Sequence, residues 1–257
     1  MNAHLPLAAA TTDAHEVVTR HMLLERVRRN FRKGMREFRL VQPSDRILVG
    51  LSGGKDSMAL LQLLGEWNRH ARNKFPLTAL HVRMKGVDYQ SDASYLERFA
   101  ESCGADFLLK TGDMPIDRNE KRTPCFLCAW NRRKILFETA QELGYNKIAL
   151  GHHRDDILTT TLMNLLYNGS FSTMPVVQGF RKMPLIIIRP LCRVEEADLR
   201  QWAILQGYEP LVKTCPNDQV THRNQMHNLL ESLQSMHPEA KSSLWHALHK
   251  SEKLVDL

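Results

Sequence analysis

The stretch ILVGLSGGKDSMALL, residues 47 to 61, decides the fold. An apolar run, Ile47-Leu48-Val49, gives way at once to Ser52, Gly53 and Gly54, and a helix is expected from 55 to 70. A strand that turns into a helix through small residues aims backbone N–H groups and the positive end of the helix at one point, which suits an anion. Gly53 and Gly54 reach backbone angles closed to other residues, and Ser52 and Ser57 add hydroxyls. Such a loop fits a phosphate or pyrophosphate. It is neither G-x-x-x-x-G-K-[ST] nor G-x-G-x-x-G, so the two familiar nucleotide loops are excluded. The rival reading is an ordinary strand-to-helix turn in which the glycines serve geometry and Asp56 caps the helix.

Outward from this stretch, strand-like and helix-like segments alternate: strands at 77–82, 106–110, 147–151 and 184–189, helices at 91–103, 126–143, 155–166 and 194–206. This alternation predicts an α/β fold, a mostly parallel five-stranded sheet with helices on both faces. Ligands in such folds sit beyond the carboxyl ends of the strands, where the opening stretch lies. Residues 1–16 are expected to be a disordered tail, 17–40 a basic helix, 41–210 the main domain with an excursion near 111–128, and 211–257 a helical segment. A second long loop is expected at 167–183. No internal repeat is present.

The 257 residues suffice for a sizeable core. The formal charge of +7 is concentrated, since residues 20–39 carry +6 of it. There Leu24, Val27, Phe31, Met35 and Phe38 recur at helical spacing, leaving basic faces for solvent or for phosphates. No run is long and apolar enough for a membrane helix, and a cytoplasmic protein is the expectation. Five cysteines, an odd number, argue against a disulfide framework. Cys103 and Cys192 read as core residues, as do Met22, Met35, Met58 and Met84. Trp67, Trp130 and Trp202 read as packing, with Trp130 also able to meet a flipped base.

Two further motifs carry chemistry. GHHRDD, residues 151–156, puts two adjacent carboxylates at the start of a helix, where they can hold a divalent cation or cap the helix. TPCFLCAWNRRK, residues 123–134, holds Cys125 and Cys128 at ligand spacing, followed by Arg132, Arg133 and Lys134. Cys215 is a third thiolate. With His222 the set would suit zinc; three thiolates alone would suit an iron–sulfur cluster with one open iron, and dithiol or persulfide chemistry is a further option.

Ser52 to Ser57 match all six positions of S-G-G-x-D-S, and here the chain resembles the PP-loop ATP pyrophosphatase superfamily. The resemblance implies ATP with its pyrophosphate on Ser52, Gly53, Gly54, Lys55, Asp56 and Ser57, cleaved between the α and β phosphates to adenylate a substrate oxygen. Lys55 and Asp56 then stabilise charge and position Mg2+. Adenine would lie against His81, Val82 and Arg83. GHHRDD resembles the G-H-x-x-D-D element facing the nucleotide: Gly151 permits a tight exit, Asp156 is the magnesium-linked carboxylate, Asp155 the cap, and His152 or His153 lies near the substrate. Thr159 and Thr160 stand where many relatives carry Glu-Thr, which removes any role for a glutamate there.

The order of the basic helix, the loop, the Cys-x-x-Cys helix, GHHRDD, MPVVQGF, IIIRPL and the late cysteine resembles the tRNA 2-thiocytidine synthetase family over residues 18 to 235. It implies a tRNA thiolase that adenylates O2 of an anticodon-loop cytidine, position 32, and replaces it with sulfur, using a [4Fe–4S] cluster on Cys125, Cys128 and Cys215. The implied partners are tRNA, a sulfur donor such as a cysteine desulfurase, and optionally a second copy of the chain. The tRNA backbone would be held by Arg28, Arg29, Arg32 and Lys33 and by Arg132, Arg133 and Lys134. Asp218 replaces the second cysteine that relatives often carry at the late position. Alternative readings are thiolation of another tRNA base or a small molecule, and a zinc-stabilised protein that binds ATP and RNA.

Overall fold

The computed structural model describes residues 8–72, 74–85, 93–113, 124–181, 183–209 and 222–257, with backbone alone at 8–16, 124–125 and 222. The elements in order are α1 (Ala8–Glu37), β1 (Ile47–Gly50), α2 (Lys55–His70), β2 (Leu77–Met84), α3 (Ala93–Ser102), β3 (Asp106–Gly112), α4 (Pro124–Glu142) and β4 (Lys147–Ala149). They continue with α5 (Arg154–Asn168), β5 (Val177–Phe180), β6 (Met183–Ile188), α6 (Glu196–Leu205), α7 (His222–Met236), α8 (Ala240–Lys250) and β7 (Val255–Asp256).

The strands form one sheet in the order β3-β2-β1-β4-β6-β5-β7. From β3 to β6 all neighbours run parallel, and β5 joins antiparallel to β6. Alternation along β1 explains why both faces are covered: Ile47 and Val49 enter the larger core with α1, α2, α5 and α6, while Leu48 enters a smaller one with Leu136 and Ala140 of α4. Leu48 is fully buried, so Leu48→Ala costs about 2–5 kcal/mol. On α2, a Cβ at Gly65 would lie 2.1 Å from the Cys103 carbonyl oxygen, so glycine allows the helix to abut the end of α3.

The fold class is the expected one, with four corrections. Among the described residues the sheet has seven strands rather than five. β5 lies inside the expected loop 167–183; its four residues Val-Gln-Gly-Phe are too short to show a period, and they pair with β6 and with β7. The helix expected at 17–40 begins at Ala8, since Ala8-Ala9-Ala10 propagate α1 backward through part of the expected tail. Met22 is 63% exposed and no core residue, whereas Met35, Met58 and Met84 are buried. Cys103 and Cys192 are buried as expected, and burial pushes the Cys103 thiol up to about 11 and that of Cys192 higher still. Residues 114–123 of the expected excursion lie outside the described residues.

Candidate active site

β1 has β2 on one side and β4 on the other, so the chain leaves β1 and β4 on either side of a topological switch point. Leu51 continues the ladder, its N–H donating to the Leu80 carbonyl at 2.9 Å. Gly53 then takes φ +84°, a conformation glycine adopts at little cost. Ser57 Oγ closes the loop: it accepts from Ser52 N–H at 3.1 Å, donates to the Gly54 carbonyl at 2.9 Å and lies 3.0 Å from Ser52 Oγ. Gly54 is the N-cap of α2 and offers no side chain, so the first N–H groups of the helix are left for a ligand. Lys55 Nζ stands between Asp56 Oδ1 at 3.0 Å and Glu196 Oε1 at 3.5 Å.

Across the switch point GHHRDD packs directly on this loop. A Cβ at Gly151 would lie 3.0 Å from the Asp56 carbonyl carbon and from Ser57 N, so the two motifs meet backbone to backbone. The cap assignment is inverted, Asp156 and not Asp155 closing the helix start. Asp156 completes the capping box, its Oδ2 accepting from His153 N–H at 3.1 Å, while Oδ1 meets Arg223 Nη2 at 2.5 Å. Asp155, 1% exposed, instead accepts from Glu196 N–H at 2.8 Å and pairs with Lys241 Nζ at 2.7 Å, tying α5 to α6 and α8. The inversion arises because the partners of Asp155 lie far along the chain. Burial alone would raise both carboxyls, but Lys241 beside Asp155, and His153 and Arg223 beside Asp156, hold both below the ordinary value.

A cavity of about 200 Å³ opens beside the loop, walled by Gly50, Ser52, His81, Val82, Arg132 and His152. His81 Nδ1 lies 2.8 Å from the Leu51 carbonyl oxygen, so this buried ring braces the loop and leaves the strand's end to face the cavity. Burial, with Arg189 nearby, pushes His152 down to about 4, so its ring is neutral near pH 7. Arg189, 6% exposed, donates to the Pro175 carbonyl and, at 3.4 Å, to Gln178 Oε1. Burial and the charge of Arg133 lower its pKa to about 10. The sequence reading missed Glu196, Arg189, Arg223 and Lys241; the visible signal was the single charge inside IIIRPL.

Residues 23–233 match the model of the PP-loop domain family. The tRNA-cytidine(32) 2-sulfurtransferase of Legionella pneumophila (strain Paris) is 35% identical over 231 residues, covering 87% of this chain and 81% of that one. The protein of the same name from Neisseria meningitidis serogroup C (strain 053442) is 35% identical over 232 residues, 88% of this chain and 72% of that one. The chain belongs to the PP-loop family, among the tRNA-cytidine(32) 2-sulfurtransferases. Its fold is shared with the U34-tRNA thiolase NcsA from Methanococcus maripaludis, solved with its [4Fe-4S] cluster: TM-score 0.70, 23% identity, 90% of this chain and 79% of that one.

In this PP-loop chain the other expected site residues are placed unevenly. Cys128 is half-buried near the start of α4, and Arg132 and Arg133, about one turn on, line the cavity beside the loop. Cys125 shares that helix, but its side chain, like Cys215 and the side chain of His222, lies outside the described residues. Among the described residues no three His, Cys, Asp or Glu converge on a metal position. Trp130 is exposed beneath Lys134 Nζ, 5.9 Å from its ring centre, whereas Trp67 is partly buried and Trp202 wholly so. Arg29, Arg32 and Lys33 are exposed. Arg28 is not a free contact for phosphate: Glu66 at 2.9 Å and Glu25 at 3.1 Å neutralise it.

Proposed function

We propose that the protein is an ATP-dependent tRNA thiolase that adenylates O2 of an anticodon-loop cytidine and replaces that oxygen with sulfur. The observation that carries the reading is the contact of Gly151 with Asp56 and Ser57, which sets GHHRDD against an uncapped helix start beside a cavity of about 200 Å³. The N–H groups from Gly53 to Ser57 receive the pyrophosphate end of ATP, and Lys55 turns from Asp56 and Glu196 onto the phosphate oxygens as charge develops. Asp56 and Asp156, on opposite sides of the switch point, are the carboxylates that would hold Mg2+, exchanging their pairs with Lys55 and Arg223 for the ion. The backbone at His81 and Val82 receives the adenine.

Cys125, Cys128 and Cys215 form a soft thiolate set of the kind that holds an iron–sulfur cluster, and the half-buried place of Cys128 on the helix bordering the cavity fits that role. The cluster, when bound, supplies the sulfur. Arg132 and Arg133 face the substrate from the same helix, Lys134 and the exposed side of α1 hold the tRNA backbone, and a cytoplasmic sulfur donor such as a cysteine desulfurase completes the cycle. Nucleosides from cells with and without the gene, read by mass spectrometry, test the substrate: loss of 2-thiocytidine is expected, and an unchanged profile overturns the reading. Anaerobically purified protein is expected to absorb broadly in the visible. A colourless protein carrying zinc, or a Cys128→Ala variant that still thiolates tRNA, overturns the cluster.

A further inference from the structure

The cations of α1 fall into two groups. Those facing the domain are consumed: Arg26 pairs with Asp198 at 2.6 Å, and Arg28 pairs with Glu66 and lies over the Trp202 ring at 5.3 Å. Arg29, Arg32, Lys33 and Arg36 are exposed and, among the described residues, make no ion pair. Their spacing of i, i+3, i+4 and i+7 puts them on one ridge. On one flank of that ridge a hollow of about 710 Å³ brings Arg32 and Arg36 together with Arg69, His70 and Arg72 from the far end of α2, over a floor of Phe31 and Trp67. On the other flank lies a hollow of about 780 Å³ bordered by Arg29, Lys33 and Arg193. Three acids lie nearby: Glu25 and Glu66 share Arg28, and Glu37 pairs with Arg193 at 2.5 Å, which leaves the remaining cations in the majority. The groove therefore carries uncompensated positive charge.

Resting on the tRNA-thiolase reading above, we infer that the groove between α1 and the C-terminal end of α2 is a second tRNA footprint, which grips the phosphates of a paired stem away from the base being modified. An array of unpaired cations along a ridge suits a polyanion with regularly spaced charges. A membrane surface is the poorer fit, because the apolar side of α1, with Val27, Phe31 and Met35, is buried in the protein and has nothing to insert. Length separates the two footprints. α2 starts at the phosphate loop, and Arg69 lies roughly 21 Å along its axis from Lys55, at about 1.5 Å per residue. That spans several base-pair steps of an A-form duplex, so phosphates in the groove and a base in the cavity belong to different parts of the RNA. Paired RNA is read mainly through shape and backbone, which exposed arginines can do.

The test compares a fluorescent full-length tRNA transcript with its isolated anticodon stem-loop, by anisotropy across a salt series, on wild type and on Arg32→Gln/Arg36→Gln/Arg72→Gln. For full-length tRNA the triple variant is expected to bind at least tenfold more weakly, with the slope of log affinity on log salt reduced by about 2 to 3. Affinity for the stem-loop is expected to change less than twofold, and Arg→Lys at the same three positions to retain the slope. A triple variant that binds full-length tRNA with wild-type affinity and slope overturns the groove and leaves the thiolase reading standing. Wild-type protein that binds neither RNA, or binds anionic vesicles in their place, overturns the thiolase reading itself.

Discussion

At its N-terminal end α2 meets its ligand with backbone: Gly53 at φ +84°, an N-cap without a side chain, and Gly151 pressed against Asp56 and Ser57. At its C-terminal end the same helix meets solvent with side chains, Arg69 and Arg72 beside the ridge of α1. On the proposed reading geometry makes the first site and charge the second, so affinity at the second is graded by how many cations remain. The loop end also has a foundation: Lys241 holds Asp155, Asp155 holds the start of α6, and Glu196 of α6 reaches Lys55.

Removing that foundation has the largest expected effect. Lys241→Met leaves Asp155 charged and buried without its partner, and urea denaturation should record a loss of about 3–5 kcal/mol; a loss below about 1 kcal/mol would show that Asp155 is anchored elsewhere. Next comes Gly53→Val, which forces a β-branched residue to positive φ at about 1–3 kcal/mol. Calorimetry should then find ATP affinity reduced more than tenfold while tRNA affinity persists. Smaller is the pH effect of His152, whose pKa is pressed from 6.5 to about 4. Because the folded state favours the neutral ring, its contribution is present above pH 6.5 and is lost as pH falls toward 4. His152→Asn should flatten stability over that window, whereas an unchanged profile would overturn the role of His152, since Asp155 and Asp156, held below their ordinary 3.8, lose their contribution only at lower pH. Smallest is Arg72→Gln at the far end, with stability within about 0.5 kcal/mol of wild type and a salt slope lower by about 0.9.

What the sequence made readable was local. Ser52 to Ser57 need only each other to form the loop, and the bounds expected for α2 match those observed. What it concealed depended on partners distant in the chain. Nothing near Asp155 and Asp156 reveals which one meets Lys241 and which closes the helix start. Arg69 and Arg72 become part of a groove only when α1 crosses the end of α2, and the same packing draws Arg28 into its pair with Glu66. The four residues of β5 show their strand character only beside β6 and β7.

Gly65 sits midway along α2, where the absence of a Cβ lets the helix lie directly against the Cys103 carbonyl, 2.1 Å from where that Cβ would be. A helix is a rod of fixed length, so the phosphate loop at one tip and the arginines at the other keep a constant separation. On the two-footprint reading the protein would contain a measuring stick, selecting an RNA by whether the span from its reactive base to its stem matches the stick's length.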